Sequence, residues 1–171
     1  MKQRIVIDDF HDCRRGEEMR GVAFRIRNAH GKPLYDIMRS IADPSWYWFI
    51  DLVESYQVEK GELTVPLFQE TIMDGRSFLD HIANTASYLI FVDLKAFPTK
   101  ESIVEVKVFE DYMGSDCQCS LIVIDSSYVW ILAKDQQLIH SLYERAKTNG
   151  YTQIEYIPEE DDLNTILNVW G

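Results

Sequence analysis

Residues 88–97 read Tyr-Leu-Ile-Phe-Val-Asp-Leu-Lys-Ala-Phe, and Pro98 comes next. Most positions are apolar on both parities of a period-2 repeat. A strand of that kind has no solvent face and must lie inside a sheet, with a neighbour on each side. Residues 45–53 form a second such run. Trp46, Trp48, Ile50 and Leu52 share one face, and Tyr47, Phe49 and Val53 the other, with Asp51 between them. Two interior strands oblige the rest of the chain to supply edges and covering layers. Neither run approaches the roughly 18 apolar residues that a membrane-spanning helix needs.

The flanking segments meet that demand. Val22, Phe24 and Ile26 alternate with Arg25 and Arg27 as a half-buried strand. Residues 56–65 can pair with 45–53 through Glu59-Lys60-Gly61-Glu62, and Asp125-Ser126-Ser127 turns a hairpin between 117–124 and 128–133. Val104, Val106 and Val108 alternate with Glu105 and Lys107, and 151–157 reads as a final strand. Pro33 opens a helix bearing Leu34, Ile37, Met38 and Ile41 on one face. A second helix covers 77–86, with Asp74 or Ser77 as its cap and Phe78, His81, Ile82 and Thr85 on one face. Asp135 caps a third, which ends at Gly150, and a single helical turn is expected around 109–113. The expected fold is α+β: a mainly antiparallel sheet of about seven or eight strands with about three helices, largely on one face.

Residues 1–18 differ from the rest of the chain. Lys2, Arg4, Arg14 and Arg15 mix with Asp8, Asp9, Asp12, Glu17 and Glu18, and only Ile5, Val6, Ile7 and Phe10 can pack. The codons for Arg14-Arg15-Gly16-Glu17-Glu18 are purine-rich enough to spell a ribosome-binding site, which makes Met19 the expected natural start. The alternative is an added edge strand at 5–7, or a loose arm. Residues 19–171 then make one globular domain, without internal repeat or dividing linker.

Charge narrows the partners. Lys and Arg total 17 and Asp and Glu total 28, a formal net charge of −11. That field repels nucleic-acid phosphate and anionic membrane surfaces, and it attracts a basic protein. Cys13, Cys117 and Cys119 are too few and odd in number for a disulfide framework. The first residues lack the apolar stretch of a signal peptide, so a cytoplasmic location is expected. The oligomeric state is left open.

Signatures of catalysis are sparse. The eight glycines are scattered, and no phosphate-binding loop, His-Glu-x-x-His, Gly-x-Ser-x-Gly or Cys-x-x-Cys occurs. His11 and Cys13 with Cys117 and Cys119 would be a poorly spaced Cys₃His zinc set. Cysteines at i and i+2 on a strand share a face, but their Cα atoms stand roughly 6.5–7 Å apart. Two small, semi-buried thiols are the plainer reading. Ser126 and Ser127 are turn residues, and the aromatic stretch 46–49 is strand core before it is a pocket. The acidic run 159–162 reads as solvated loop. No catalytic residue, cofactor or metal is expected. One polar set stands apart: Asp93 and Asp125 each end an apolar run, and Lys95 shares a strand face with Asp93. Neighbouring strands would let the three converge on a polar patch.

Gly21-Val-Ala-Phe24-Arg-Ile26-Arg-Asn28, then Gly31-Lys-Pro-Leu34 and Asp36-Ile37, resemble the opening of a small uncharacterised family of bacterial cytosolic proteins. Phe91-Val-Asp93-Leu-Lys95-Ala-Phe97-Pro98 is similar to its core motif, and Ser115-Asp-Cys117, Asp125 and Ile154-Glu-Tyr156-Ile157 to its later segments. The resemblance spans residues 19–160 and implies a domain of unknown function. It transfers no catalytic residue, because the shared positions are strand-core and turn residues. The favoured expectation is a non-enzymatic cytosolic domain that binds a basic protein, in its sharpest form an acidic inhibitor or immunity-like protein. The alternative is a small-molecule binder or enzyme with a polar site at the sheet rim near Asp93, Lys95 and Asp125.

Overall fold

The computed structural model describes residues 18–158, with the side chain of Leu52 excepted. The N-terminal arm up to residue 17, the acidic run 159–162 and the expected closing element 163–170 lie outside the described residues. The strands are β1 (Met19–Arg25), β2 (Tyr47–Glu59), β3 (Glu62–Pro66), β4 (Ile72–Asp74), β5 (Ser87–Phe97), β6 (Cys119–Ile124), β7 (Tyr128–Ala133) and β8 (Thr152–Pro158). The helices are α1 (Pro33–Met38), α2 (Gly75–Asn84), α3 (Phe109–Gly114) and α4 (Gln136–Thr148), with a 3-10 turn at Lys100–Ser102.

Among the described residues, all eight strands join one sheet in the order β3-β2-β5-β6-β7-β1-β8, with β4 paired to β2. Every pairing is antiparallel. The α+β expectation holds, and the two runs that are apolar on both faces do become interior strands. β5 lies between β2 and β6, and β2 lies between β5 and the short β3 and β4. Lys60 and Gly61 turn the β2–β3 hairpin with φ of 52° and 82°. Asp125 and Ser126 turn β6 into β7 with φ of 49° and 63°, the positive pair that a type I′ turn requires.

The two sheet faces are covered differently. One carries α1, α2 and α4, whose Leu34, Ile37, Phe78, Ile82, Ile139 and Leu142 pack on Trp48, Leu94, Leu121 and Ile131. Trp48 is fully buried and stacks on Phe78 at 4.6 Å between ring centroids, so the aromatic stretch is core. Asp135 caps α4 by accepting from the Gln137 and Leu138 amides. Asp74 caps α2 by accepting from the Ser77 amide. The second face is covered by α3 and the chain leading to it. Val106, Phe109 and Tyr112 pack there on Phe97, Ile122 and Leu132. Residues 103–107 alternate as a strand would, yet lie outside any strand. Pro98 ends β5, and Thr99 and Ser102 then bond each other's backbone amides reciprocally, which turns the chain back across the sheet.

One departure concerns β2. The sequence pattern predicts separate strands at 45–53 and 56–65, but a single strand runs from Tyr47 to Glu59. Asp51 faces Asp93, Glu54 faces Phe91 and Ser55 faces Leu89, so β2 carries one extra residue before Phe91 and β5 one after it. A one-residue insertion reverses which parity faces which side. Val53 consequently packs with the helix-bearing core, against its expected place beside Phe49, which packs on the α3 side.

Two glycines are required by contact. A Cβ on Gly21 would lie 1.9 Å from the carbonyl oxygen of Ile131 on β7. A Cβ on Gly75 would lie 2.7 Å from the carbonyl oxygen of Trp46, where α2 starts against the 43–46 turn.

Candidate functional site

Asp93 and Lys95 are two residues apart on β5, which puts both on the α3 side of the sheet. Their relative exposures are 1% and 2%. The Lys95 ammonium bonds the Asp93 carboxylate directly. Register fixes the surroundings: Asp93 lies between Asp51 of β2 and Ile122 of β6, and Lys95 between Phe49 and Ser120. Burial raises the Asp93 carboxyl above its ordinary value; the Lys95 charge pulls it back, and the Asp51 charge adds to the rise. Both side chains of the pair are buried from solvent.

Asp125 does not join it. β5 and β6 are neighbours, as the shared patch requires, but Val92 pairs with Val123, which carries Asp125 past the end of the strand. The Ser126 amide donates to the Ile90 carbonyl, so the turn sits three residues along β5 from Asp93, roughly 10 Å away. Asp125 is exposed and has the turn's positive φ. The acid that stands beside Asp93 is Asp51, which in the sequence is only an interruption of an apolar run.

The two cysteines do not share a face. β6 starts at Cys119, so Cys117 precedes the pleat. Cys119 packs in the helix-bearing core and Cys117 under α3. Both thiols are free and buried. Burial pushes Cys117 up to about 11, and Cys119 rises by the same cause. Such thiols stay protonated at neutral pH and are poor nucleophiles. Among the described residues no three His, Cys, Asp or Glu side chains are grouped to hold a metal; His11 and Cys13 lie outside them. His81 Nε2 donates to the Leu67 carbonyl at 2.6 Å, which ties it to the fold.

The exposed chemistry lies on the other side of the α3 layer. Ile103, Val106, Phe109 and Tyr112 point into the sheet. The intervening residues therefore face out, and they are mostly acids. Glu101, Glu105, Glu110, Asp111 and Asp116 surround an open groove of about 580 Å³ that no basic side chain lines. Val104, 49% exposed, is part of its wall, and Met113 stands 50% exposed on the same helix as Glu110. Asp111 accepts from the Lys107 and Val108 amides at 2.9 and 3.1 Å, which holds its carboxyl below the usual range. It is fully ionised at neutral pH. Lys107 pairs with Glu105 at 2.9 Å, but both side chains are well exposed and the pair contributes little. No helix among the described residues is long and apolar enough to cross a membrane.

Comparison with known proteins agrees with the expected resemblance and extends it. The chain is 35% identical over 152 residues to Uncharacterized protein YncE of Bacillus subtilis (strain 168). The alignment spans 88% of this chain and 99% of that relative. No solved structure matches. Residues 19–168 match a family model, a span that carries on past β8. The chain belongs to the family described as Protein of unknown function (DUF2691).

Proposed function

We propose that this chain is a non-enzymatic protein-binding domain that receives a basic partner in the groove formed by Glu101, Glu105, Glu110, Asp111 and Asp116. The observation that carries this reading is the groove's composition: five carboxylates, no cation in the lining, and Val104 in the wall. Such a surface offers charge for steering and an apolar contact for retention. The net charge of −11 supports it, because the whole field draws a basic protein in and keeps nucleic acid away. An inhibitor of a basic enzyme is its sharpest form. The free thiols of Cys117 and Cys119 support a cytoplasmic location. The reading of Asp93, Lys95 and Asp125 as a rim site draws no support: two are sealed and the third is a turn residue.

The test compares three tagged proteins as baits in native-host lysate. They are the parent chain, a groove reversal (Glu101→Lys, Glu105→Lys, Glu110→Lys) and a control reversal of equal charge away from the groove, with Glu59→Lys and Glu62→Lys at the β2–β3 hairpin and Glu144→Lys on α4. A basic protein retained at low salt by the parent and the control, and lost by the groove variant, supports the reading. Equal retention by all three, or none by the parent, overturns it.

A further inference from the structure

The chain leaves the sheet at the end of β1, crosses the rim through residues 26–32 and enters α1. Beside it, α4 ends and residues 149–152 lead into β8. These two connections enclose a cleft of about 560 Å³, a volume suited to a small ligand. Arg25, Arg27, His30 and Lys32 line it, against a single carboxylate, Asp36. This is a local reversal of sign in a chain with 28 acids and 17 Lys and Arg. Acids are abundant, yet Arg25, Arg27 and Lys32 form no salt bridge among the described residues.

Arg25 is fixed in place. Its Nε donates to Gln153 Oε1 at 2.8 Å, and its guanidinium carbon lies 4.2 Å from the Tyr128 ring centroid. Gln153 has φ of 50°, a left-handed conformation unfavourable for a residue with a side chain. It sits where the β1–β8 register shifts between Ala23 and Arg25. That irregularity turns the Gln153 amide onto the guanidinium, and the Nη nitrogens make no hydrogen bond among the described residues. Across the cleft, Asn149 Nδ2 donates to the Asp36 carbonyl and the Tyr151 hydroxyl, both at 3.2 Å, which ties the 149–152 connection to α1.

We infer that this cleft binds a small, multiply charged oxyanion. Guanidinium groups present a planar fork that matches phosphate and carboxylate oxygens, and Lys32 adds a point charge. The overall negative field disfavours long polyanions, while a compact ligand within the cleft is governed by the nearby cations. The site is independent of the acidic groove. Gly31 bridges Ser87 at the start of β5, whereas the groove is reached after Phe97 at its end, roughly 30 Å along the strand.

Calorimetric titration and thermal melting of the full chain, with inorganic pyrophosphate and with citrate, test this. The parent chain should bind at least one of them saturably and melt higher in its presence. Pyrophosphate alone identifies a phosphorylated ligand, citrate alone a polycarboxylate, and both a site that reads charge. The exposed double variant Arg27→Gln, Lys32→Gln should melt like the parent without ligand and bind about tenfold more weakly or worse. No saturable binding of either anion by the parent, or undiminished binding by the variant, overturns the inference.

Discussion

Lys95 neutralises Asp93 from two positions along the same strand, inside a layer where neither side chain reaches water. Removing one partner of such a pair strands the other's charge and typically costs about 3–5 kcal/mol, whereas replacing both with apolar groups is often neutral. Lys95→Met should therefore destabilise by about that amount, and Asp93→Leu with Lys95→Met should recover most of the loss. Urea denaturation of the three proteins checks this.

The same pair sets a pH dependence. The Asp93 carboxyl is raised from 3.8 in the folded protein, with burial as the leading cause. Between the unfolded and folded values the native state keeps a proton that the unfolded chain has released. The contribution of Asp93 to stability therefore falls as pH rises through that window. Without Lys95 the native value climbs further, so the deficit of Lys95→Met should grow from about pH 5 to about pH 8. A constant deficit across that range would contradict the assignment.

Gly21 leaves no room for a side chain against the Ile131 carbonyl. Gly21→Ala must push β1 away from β7, and overpacking of this kind costs about 1–3 kcal/mol. Thermal melting should show a clear drop, while Gly114→Ala, where nothing crowds the added methyl, should not.

The Tyr112 hydroxyl is buried with no hydrogen-bond partner among the described residues. Leaving a buried polar group unpaired costs about 1–3 kcal/mol, so Tyr112→Phe should be neutral or stabilising. By contrast, Asp135→Ala removes the acceptor for two amides at the start of α4 and should cost about 1 kcal/mol. Chemical denaturation should show a loss of stability for Asp135→Ala and none for Tyr112→Phe.

Local signals are legible in the sequence. Asp135 announces a helix start and Gly150 its stop, because caps depend on a few consecutive residues. Asp93 and Lys95 can be paired from the sequence, since i and i+2 on a regular strand share a side. Relationships that depend on register are not legible. Asp51 meets Asp93, and Asp125 misses it, only because of how β2 and β6 slide against β5. Val53 changes sides through an inserted residue whose position no alternation reveals. The cationic cleft joins residues 25–32 to residues 149–152 across most of the chain, and the strongly negative total conceals it.

The irregular register opposite Phe91 divides the longest strand pair into two stretches. Amides at this joint lack the continuous ladder that shields their neighbours. Deuterium should thus enter β2 first near residues 52–54, leaving the halves around Trp48 and Tyr56 to open as separate units.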